Sequence, residues 1–577
     1  MAVGVRARRV LGMRLRLLRA GFPLVLALGW LSAAAPARAA NYWVGNNGIP
    51  PCTHATLQAA IETAVGGAGD DVISLVGTGP FNGPFTVLGG GIEIRGDVTS
   101  CGSSSTGFGY STLRAPSGSR PLTILMGGAE TVRLRRVLVT SENGTYSGDG
   151  GGIWFAGAGN GSRLELVDSQ VFSSTALGEG GGIYVSGGTL SLSNASIVGF
   201  NAASNGGGVA ARNGARVEVP GGLITNNTAL FDGGGIYAAD ADVVMQSASP
   251  NALTVVKSNL AGRDGGGLYL AGDSTNVIDA ASRDPAEVSR NRAQRGAGLF
   301  VDGATVGLWR ATVELNTAAG EGGGAYVTGN GELTSNTLGE PLTLGGYPRI
   351  DTNVAADGAA LYVTGNAHAL LGSGRVRDHH NADTTTILAA AGGAILFLTG
   401  VTVQDNGGLA LLSLEDAAVV QLRHVSLAGN AVGGIVRWSG SGSTLAVHAT
   451  ALDESEPFFT SFGTPFLPPM FDCVVSRSAA PFANLPPGTV LTDLTIADPE
   501  FVSPPNELHL RHTSAAIDRC SFSAFVDLDG DTRAYDDPFH PNAPSRTADA
   551  GADEATVLFV DGFESGGLVA WTGGHLP

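Results

Sequence analysis

The chain has 577 residues, 87 of them glycine, and a formal net charge of −18 with a single lysine, Lys257. That acidic balance argues against a nucleic-acid partner and against any mechanism needing several ammonium groups. Length sets no domain count here, because a solenoid grows by adding coils instead of enlarging one core.

Residues 1–39 carry a basic run from Arg6 to Arg19, an apolar core from Phe22 to Trp30, and a small-x-small site at Ala37-Arg-Ala39. This is the pattern of a secretory signal peptide. The apolar stretch is short and flanked by Pro23 and Pro36, so no transmembrane segment is expected in the mature chain. Removing seven arginines and no acids would leave a product of about −25. Export makes two disulfides the expectation, Cys52 with Cys101 and Cys473 with Cys520, one near each end; buried free thiols are the alternative.

Residues 40–140 read as an N-terminal cap followed by the first coils. Thr56 to Ala64 predicts a short helix with Thr56 as its capping residue and Leu57, Ala60, Ile61 and Ala64 on one apolar face. Asp71-Val-Ile-Ser-Leu75 begins the strands.

Residues 141–440 contain a two-part repeat. One half is an aliphatic residue, two variable residues and Asn: Val198…Asn201, Ile224…Asn227, Val256…Asn259, Val288…Asn291, Val313…Asn316, Ile350…Asn353, Val403…Asn406 and Leu427…Asn430. The other is a pair or trio of small residues before an aliphatic, at Ile153, Ile183, Val209, Ile236, Leu268, Leu299, Ala325, Leu361, Ile395 and Ile435. The intervals run from 26 to 40 residues, a range that means a solenoid or a propeller. Within Gly182–Asn201, Ile183-Tyr-Val, Thr189–Leu192 and Ser196–Val198 read as three short strands, without the tight hairpin turns of a propeller blade. The expected fold is therefore all-β, a single-stranded right-handed parallel β-helix with an N-terminal helical cap.

Stacked coils place like residues in ladders. Ile183 and its equivalents are expected inside, and Asn201 and its equivalents at a bend, bonding coil to coil in left-handed backbone. The next residue along each strand points outward, which puts Trp154, Tyr184, Tyr237, Tyr269, Phe300, Tyr326 and Tyr362 on one outer face, with Ala210 and Leu396 completing the series. Such rings suit sugar faces or a protein surface; the plainer reading is that they stack on each other.

The pairing of Gly-Gly-(Gly/Ala)-aliphatic with aliphatic-x-x-Asn over roughly residues 140–440 resembles the repeats of polymorphic outer-membrane proteins and related right-handed parallel β-helix proteins, a pectate-lyase-like architecture. Those repeats often have Phe at the first position of the Asn half, where this chain has Val, Ile or Leu. The resemblance implies a secreted or cell-surface protein of a Gram-negative bacterium.

Arg375-Val-Arg-Asp-His-His-Asn-Ala-Asp383 is the densest polar cluster of the repeat region. Its Asp378, His379, His380 and Asp383 invite an acid/base or metal reading. The competing reading is a solvated loop inserted at a corner where the repeat's Asn is displaced or replaced. Scarce lysine and a lack of paired acids on successive coils count against an enzyme.

Residues 441–557 depart from the strict repeat, and Phe458 to Phe471 reads as an extended loop. Ala497-Asp-Pro-Glu-Phe501, Leu508 to Asp518, Asp527 to Arg533 and Asp549 to Glu554 then follow in that order. Together they resemble the choice-of-anchor Q region found after β-helix repeats in secreted bacterial proteins, with departures at Arg519 and Asp553. Asp527, Asp529 and Asp531 around Gly530 could present oxygens to calcium, the one cofactor considered; a plain Asp-Gly turn competes, since Pro538 stands where an EF-hand needs its bidentate Glu. Residues 558–577 resemble the Gly-Phe-Glu-Ser-Gly…Trp tails of exported proteins, either a sorting signal or a last strand.

The function expected from these features is a non-enzymatic, adhesin-like or scaffold protein, monomeric, binding an extracellular polysaccharide or a cell-surface protein. The alternative is a polysaccharide lyase or glycoside hydrolase of the pectin-lyase-like fold.

Overall fold

The computed structural model describes residues 39–552 apart from 46–51, 68–69, 142–143, 160, 248–251, 280–284, 336–346, 381–384, 462, 512 and 521–547. The signal-peptide segment, Asp383, the Asp527–Asp529–Asp531 turn and the tail at 558–577 lie outside the described residues.

The chain forms a single-stranded parallel β-helix. Its strands fall into parallel sheets of 29, 14 and 7 members. Val209 pairs with Ile236 and Ile236 with Leu268, so the interior ladder is continuous from coil to coil. One apolar core runs down the axis from Val44 to Val474. Burial of this aliphatic column is the main stabilising term, at roughly 25 cal/mol per Å² of apolar surface removed from water.

Coils between Thr145 and Ala318 hold four strands instead of the expected three. In one turn these are Ile183–Ser186 in the 14-stranded sheet, Thr189–Ser193 and Ser196–Gly199 in the 29-stranded sheet, and Ala202–Ala203 in the 7-stranded sheet. The fourth strand is two residues long, too short to show alternation in sequence.

The left-handed bend also sits one residue earlier than expected. Phe200, Asn226, Ser258, Arg290, Leu315 and Thr352, each just before the repeat Asn, have φ between 54° and 57°. The turn frees the following Asn to point inward, where its amide is fully used. Asn227 Nδ2 donates to Val198 O and to Asn259 Oδ1, both at 3.0 Å, and its own Oδ1 accepts from Asn201 N and Nδ2. The row continues through Asn291, Asn316 and Asn353 with the same geometry.

Two rungs of the aliphatic ladder differ from the sequence reading. Leu361 is followed by Leu388, Leu412 and Val436, not by Ile395 and Ile435. Ile395 lies in the 29-stranded sheet, paired with His368 and Val419, because Gly392-Gly393 form the turn after a strand and not the corner before one.

Helix α1 (Leu57–Val65) closes the N-terminal end. The Thr56 side chain accepts from Ala59 N at 3.3 Å, and Leu57, Ala60, Ile61 and Ala64 are buried as expected. At the other end Phe458, Phe459, Phe471, Phe482 and Trp438 make an aromatic plug. The segment from Phe458 to Phe471 is thus not a plain loop: Phe459–Ser461 pairs with Val436–Arg437, and Phe458 and Phe471 are buried. Disulfides join Cys52 to Cys101 and Cys473 to Cys520. Bonds of this kind persist in oxidising compartments. Among the described residues no helix is long and apolar enough to cross a membrane.

Candidate functional site

Two places on the outer surface gather chemistry. The first is the outer face of the 14-stranded sheet. Trp154, Tyr184, Ala210, Tyr237, Tyr269, Phe300, Tyr326 and Tyr362 occupy one register row. From Tyr237 to Tyr362 the five rings stack with centroids 5.0 to 5.2 Å apart and planes within 8° of parallel. Both faces of Tyr269, Phe300 and Tyr326 are therefore occupied by neighbouring rings; Tyr237, Phe300 and Tyr326 are buried, and Tyr269 and Tyr362 are the half-buried members of the stack. The series then passes to Ala389, Ser413 and Arg437; Leu396 is buried in the 29-stranded sheet and is not part of it.

Beside the rings runs a second row that the sequence reading missed: Asp149, Glu179, Asn205, Asp232, Asp264, Arg295, Glu321 and Asp357, each just before a glycine and four residues ahead of an interior aliphatic. That constant offset was the available signal. Neighbours in this row bond to each other, as in Glu179 N to Asp149 Oδ1 at 2.8 Å and Asn205 Nδ2 to Glu179 Oε1 at 3.1 Å. Arg212 fills the gap above Ala210. It forks onto Glu179 at 2.6 and 2.9 Å, donates to the Tyr237 hydroxyl at 3.2 Å, and lies 4.8 Å from that ring's centre. Arg295 pairs with Asp264 and covers Phe300 and Tyr326. Burial pushes the Tyr237, Tyr269, Tyr326 and Tyr362 phenols up, aided by nearby charges at Tyr269 and Tyr362 and opposed by Arg212 at Tyr237 and Arg295 at Tyr326. They stay neutral hydroxyl donors beside carboxylate acceptors, a combination suited to polyhydroxylated ligands.

The second place is the polar cluster at residues 375–383. The solvated-loop reading fails for His379, which is fully buried. It takes the place of Asn in the amide row: its N–H donates to Asn406 Oδ1 at 3.1 Å and its Nδ1 lies 3.0 Å from the same oxygen. Val376…His379 has the spacing of Ile350…Asn353, so the substitution was readable in the sequence. His379 is thereby committed to the scaffold and separated in role from its neighbours.

Asp378 and His380 instead meet Asp405 of the next coil, with one ligand atom from each within 4.8 Å of the others. Paired acids on successive coils are thus present, contrary to the sequence reading. Asp378 and Asp405 both occupy the left-handed position before the buried row, with φ of 59° and 53°. The Asp405 carboxyl is raised, by burial first and by the Asp378 carboxyl second. Arg377 Nε lies 3.0 Å from Asp378 Oδ2 and His380 Nε2 lies 3.9 Å from Asp405 Oδ1. The group can share a proton between two carboxyls, or hold a cation with two oxygens and one nitrogen, a donor set that suits transition metals better than calcium.

The chain matches no known protein-family profile and no curated protein sequence.

Proposed function

We propose that the protein is a secreted or cell-surface β-helix, non-enzymatic, that binds glycans or proteins along the outer face of its 14-stranded sheet. The observation that carries this reading is the unbroken register from Trp154 to Tyr362, which leaves Trp154, Tyr184, Tyr269 and Tyr362 half-buried beside a parallel acid-rich row. The resemblance of the repeat to polymorphic outer-membrane-protein repeats, and of residues 450–555 to the choice-of-anchor Q region, supports placement at a Gram-negative surface. Two disulfides fit export. The test is the double substitution Tyr237→Ala/Tyr269→Ala, assayed against a glycan panel and whole cells. Lost binding supports the reading; unchanged binding with a lower melting temperature removes this face from it.

One observation favours a second reading, a polysaccharide lyase or glycoside hydrolase: the Asp378–Asp405 pair with Arg377 and His380 beside it. Shared-proton carboxyls are common acid/base machinery. Incubation with acidic and neutral polysaccharides, following reducing ends and unsaturated products, decides between them. Turnover abolished by Asp378→Asn or Asp405→Asn would replace the binding reading with the enzymatic one.

A further inference from the structure

In a chain of net charge −18, three guanidiniums converge on one recess. The recess has a volume of about 290 Å³ and is lined by Arg95, Ser104, Thr106, Arg135, Arg136 and Asp168. That is near the roughly 300 Å³ lower end of small-ligand sites. Stacking creates it. Arg95 and Arg135 are register partners on adjacent coils of the 29-stranded sheet. Like charges directly opposite each other on neighbouring strands are destabilising. In the row two residues earlier the chain avoids that cost, alternating Glu93, Arg133 and Glu165.

The Arg95–Arg135 row has no such alternation; its next member is Val167. Among the described residues the only carboxylate paired with both is Glu93, whose Oε1 lies 2.8 Å from Arg95 Nε and 3.3 Å from Arg135 Nε. Arg136, turned into left-handed backbone at φ 56°, brings the third guanidinium to the same place. It is held there by donation to Thr106 Oγ1 at 3.1 Å and Gly109 O at 3.2 Å. The Nε atoms of Arg135 and Arg136 are buried and make no hydrogen bond of good geometry among the described residues, although each faces a carboxylate, Glu93 at 3.3 Å and Asp168 at 3.8 Å. Asp168 is the one acid in the lining; its Oδ1 accepts from Tyr110 at 3.0 Å and its Oδ2 faces Arg136 Nε. The wall carrying Ser104 and Thr106 follows Cys101, which the disulfide to Cys52 anchors. Arg136 lies 3.8 Å from Asp168 and 3.9 Å from Asp97, whereas Arg95 and Arg135 share the one Glu93 carboxylate, so that pair keeps donors to spare on the recess side.

We infer that this recess binds an oxyanion carried by a glycan, a carboxylate or a sulfate ester, with Arg95 and Arg135 clamping the oxygens and Ser104 and Thr106 donating to the adjoining sugar. Paired guanidiniums match the geometry of such groups and favour them over neutral sugars. This rests on the glycan-binding reading and names the class of glycan.

The experiment is calorimetric titration of the full chain with four probes: an alginate oligosaccharide, a carrageenan oligosaccharide, a neutral cello-oligosaccharide and sodium sulfate. At least one anionic oligosaccharide should bind more tightly than sulfate ion and than the neutral one. Arg135→Gln should weaken it at least tenfold. Arg163→Gln is the charge control, since Arg163 on the same sheet is already paired with Glu165 at 2.8 Å and Glu218 at 2.7 Å; it should change little. If Arg135→Gln unfolds the chain, Arg95→Gln carries the same test. The inference is overturned by no binding of either anionic probe, by equal losses in the Arg135 and Arg163 variants, or by sulfate ion binding as well as the sugars do. Neutral-glycan binding that ignores Arg135→Gln but is lost in Tyr237→Ala/Tyr269→Ala would overturn the recess and leave the broader reading standing.

Discussion

The Asn430 side chain donates to Glu454 Oε1 at 2.6 Å, so a row of buried amides ends on a carboxyl. Glu454 is 6% exposed, and burial raises its pKa to about 7 against the Asn430 hydrogen bonds, which lower it. Eight coils before Asn430 the row begins at Asn201, and between them His379 interrupts it with an imidazole whose pKa burial lowers to about 4. The geometry fixes its tautomer: Nδ1 faces the Asn406 carbonyl oxygen and must donate, while Nε2 faces the Asn353 amide at 3.5 Å and must accept.

These two groups tilt stability in opposite directions over nearly the same pH range. A carboxyl whose folded pKa is raised from 4.5 to about 7 contributes full stability below pH 4.5, and that contribution is lost as pH rises to about 7. An imidazole lowered from 6.5 to about 4 contributes full stability above pH 6.5, lost as pH falls to about 4. Each amounts to roughly 3 kcal/mol between its limits. Glu454→Gln should therefore gain on wild type as pH rises from 4 to 8, and His379→Asn should gain as pH falls from 7 to 4. Urea midpoints across pH measure both; the double variant should lose both trends. Differences from wild type that stay flat with pH would contradict the assignment.

The repeat was legible because each of its positions answers one physical demand. Val209, Ile236 and Leu268 fall in one column, as their spacing requires, since a slip of one residue would turn every aliphatic outward. It failed at Ile395, where a glycine pair marks a turn of another kind, because glycine records permissive backbone without recording which corner it serves. The Asp378–Asp405 pair was hidden for a related reason. Twenty-seven residues separate them, and only the register of His379 against Asn406 brings the positions before them together. The arginine recess depends on Arg95 pairing with Arg135, and that register crosses a long connection with no repeat to count by.

Asn259 tests how much the amide row contributes. Its Oδ1 accepts from Asn227 N and Nδ2, and its Nδ2 donates to Ile224 O and Asn291 Oδ1. Asn259→Ala leaves four buried partners short of a bond in a place water does not reach. At roughly 1 to 3 kcal/mol for each group left unsatisfied, with some relaxation, a loss of about 4 kcal/mol is expected. A loss under 1 kcal/mol in denaturant unfolding would show that the row is ornament to the apolar column.

The ring stack has its own signature. Tyr269 touches Tyr237 at 5.0 Å and Phe300 at 5.2 Å, centroid to centroid. Tyr269→Phe keeps both contacts and should cost less than about 1 kcal/mol, whereas Tyr269→Ala opens a gap between two rings and should cost about 2 to 4 kcal/mol. Thermal melts of the two variants give the comparison. Equal losses would mean that the hydroxyl, and not the stacking, holds the position.

Two glycines separate backbone preference from crowding. Gly265 and Gly303 share left-handed backbone, at φ 67° and 75°. A Cβ on Gly265 would lie 2.6 Å from the Leu268 carbonyl oxygen, a contact that only backbone movement relieves. A Cβ on Gly303 would meet nothing within 4 Å. Gly303→Ala should therefore cost only the left-handed penalty, about 1 kcal/mol. Gly265→Ala bears that penalty and must also displace the corner against which Asn291 Nδ2 and the next coil are packed, since Gly267 beside it has 2.9 Å of room to that amide. It should lose at least about 3 kcal/mol and broaden the unfolding transition as coils on either side uncouple. Similar midpoints for the two variants would mean that the corner yields, and that the glycines serve conformation alone.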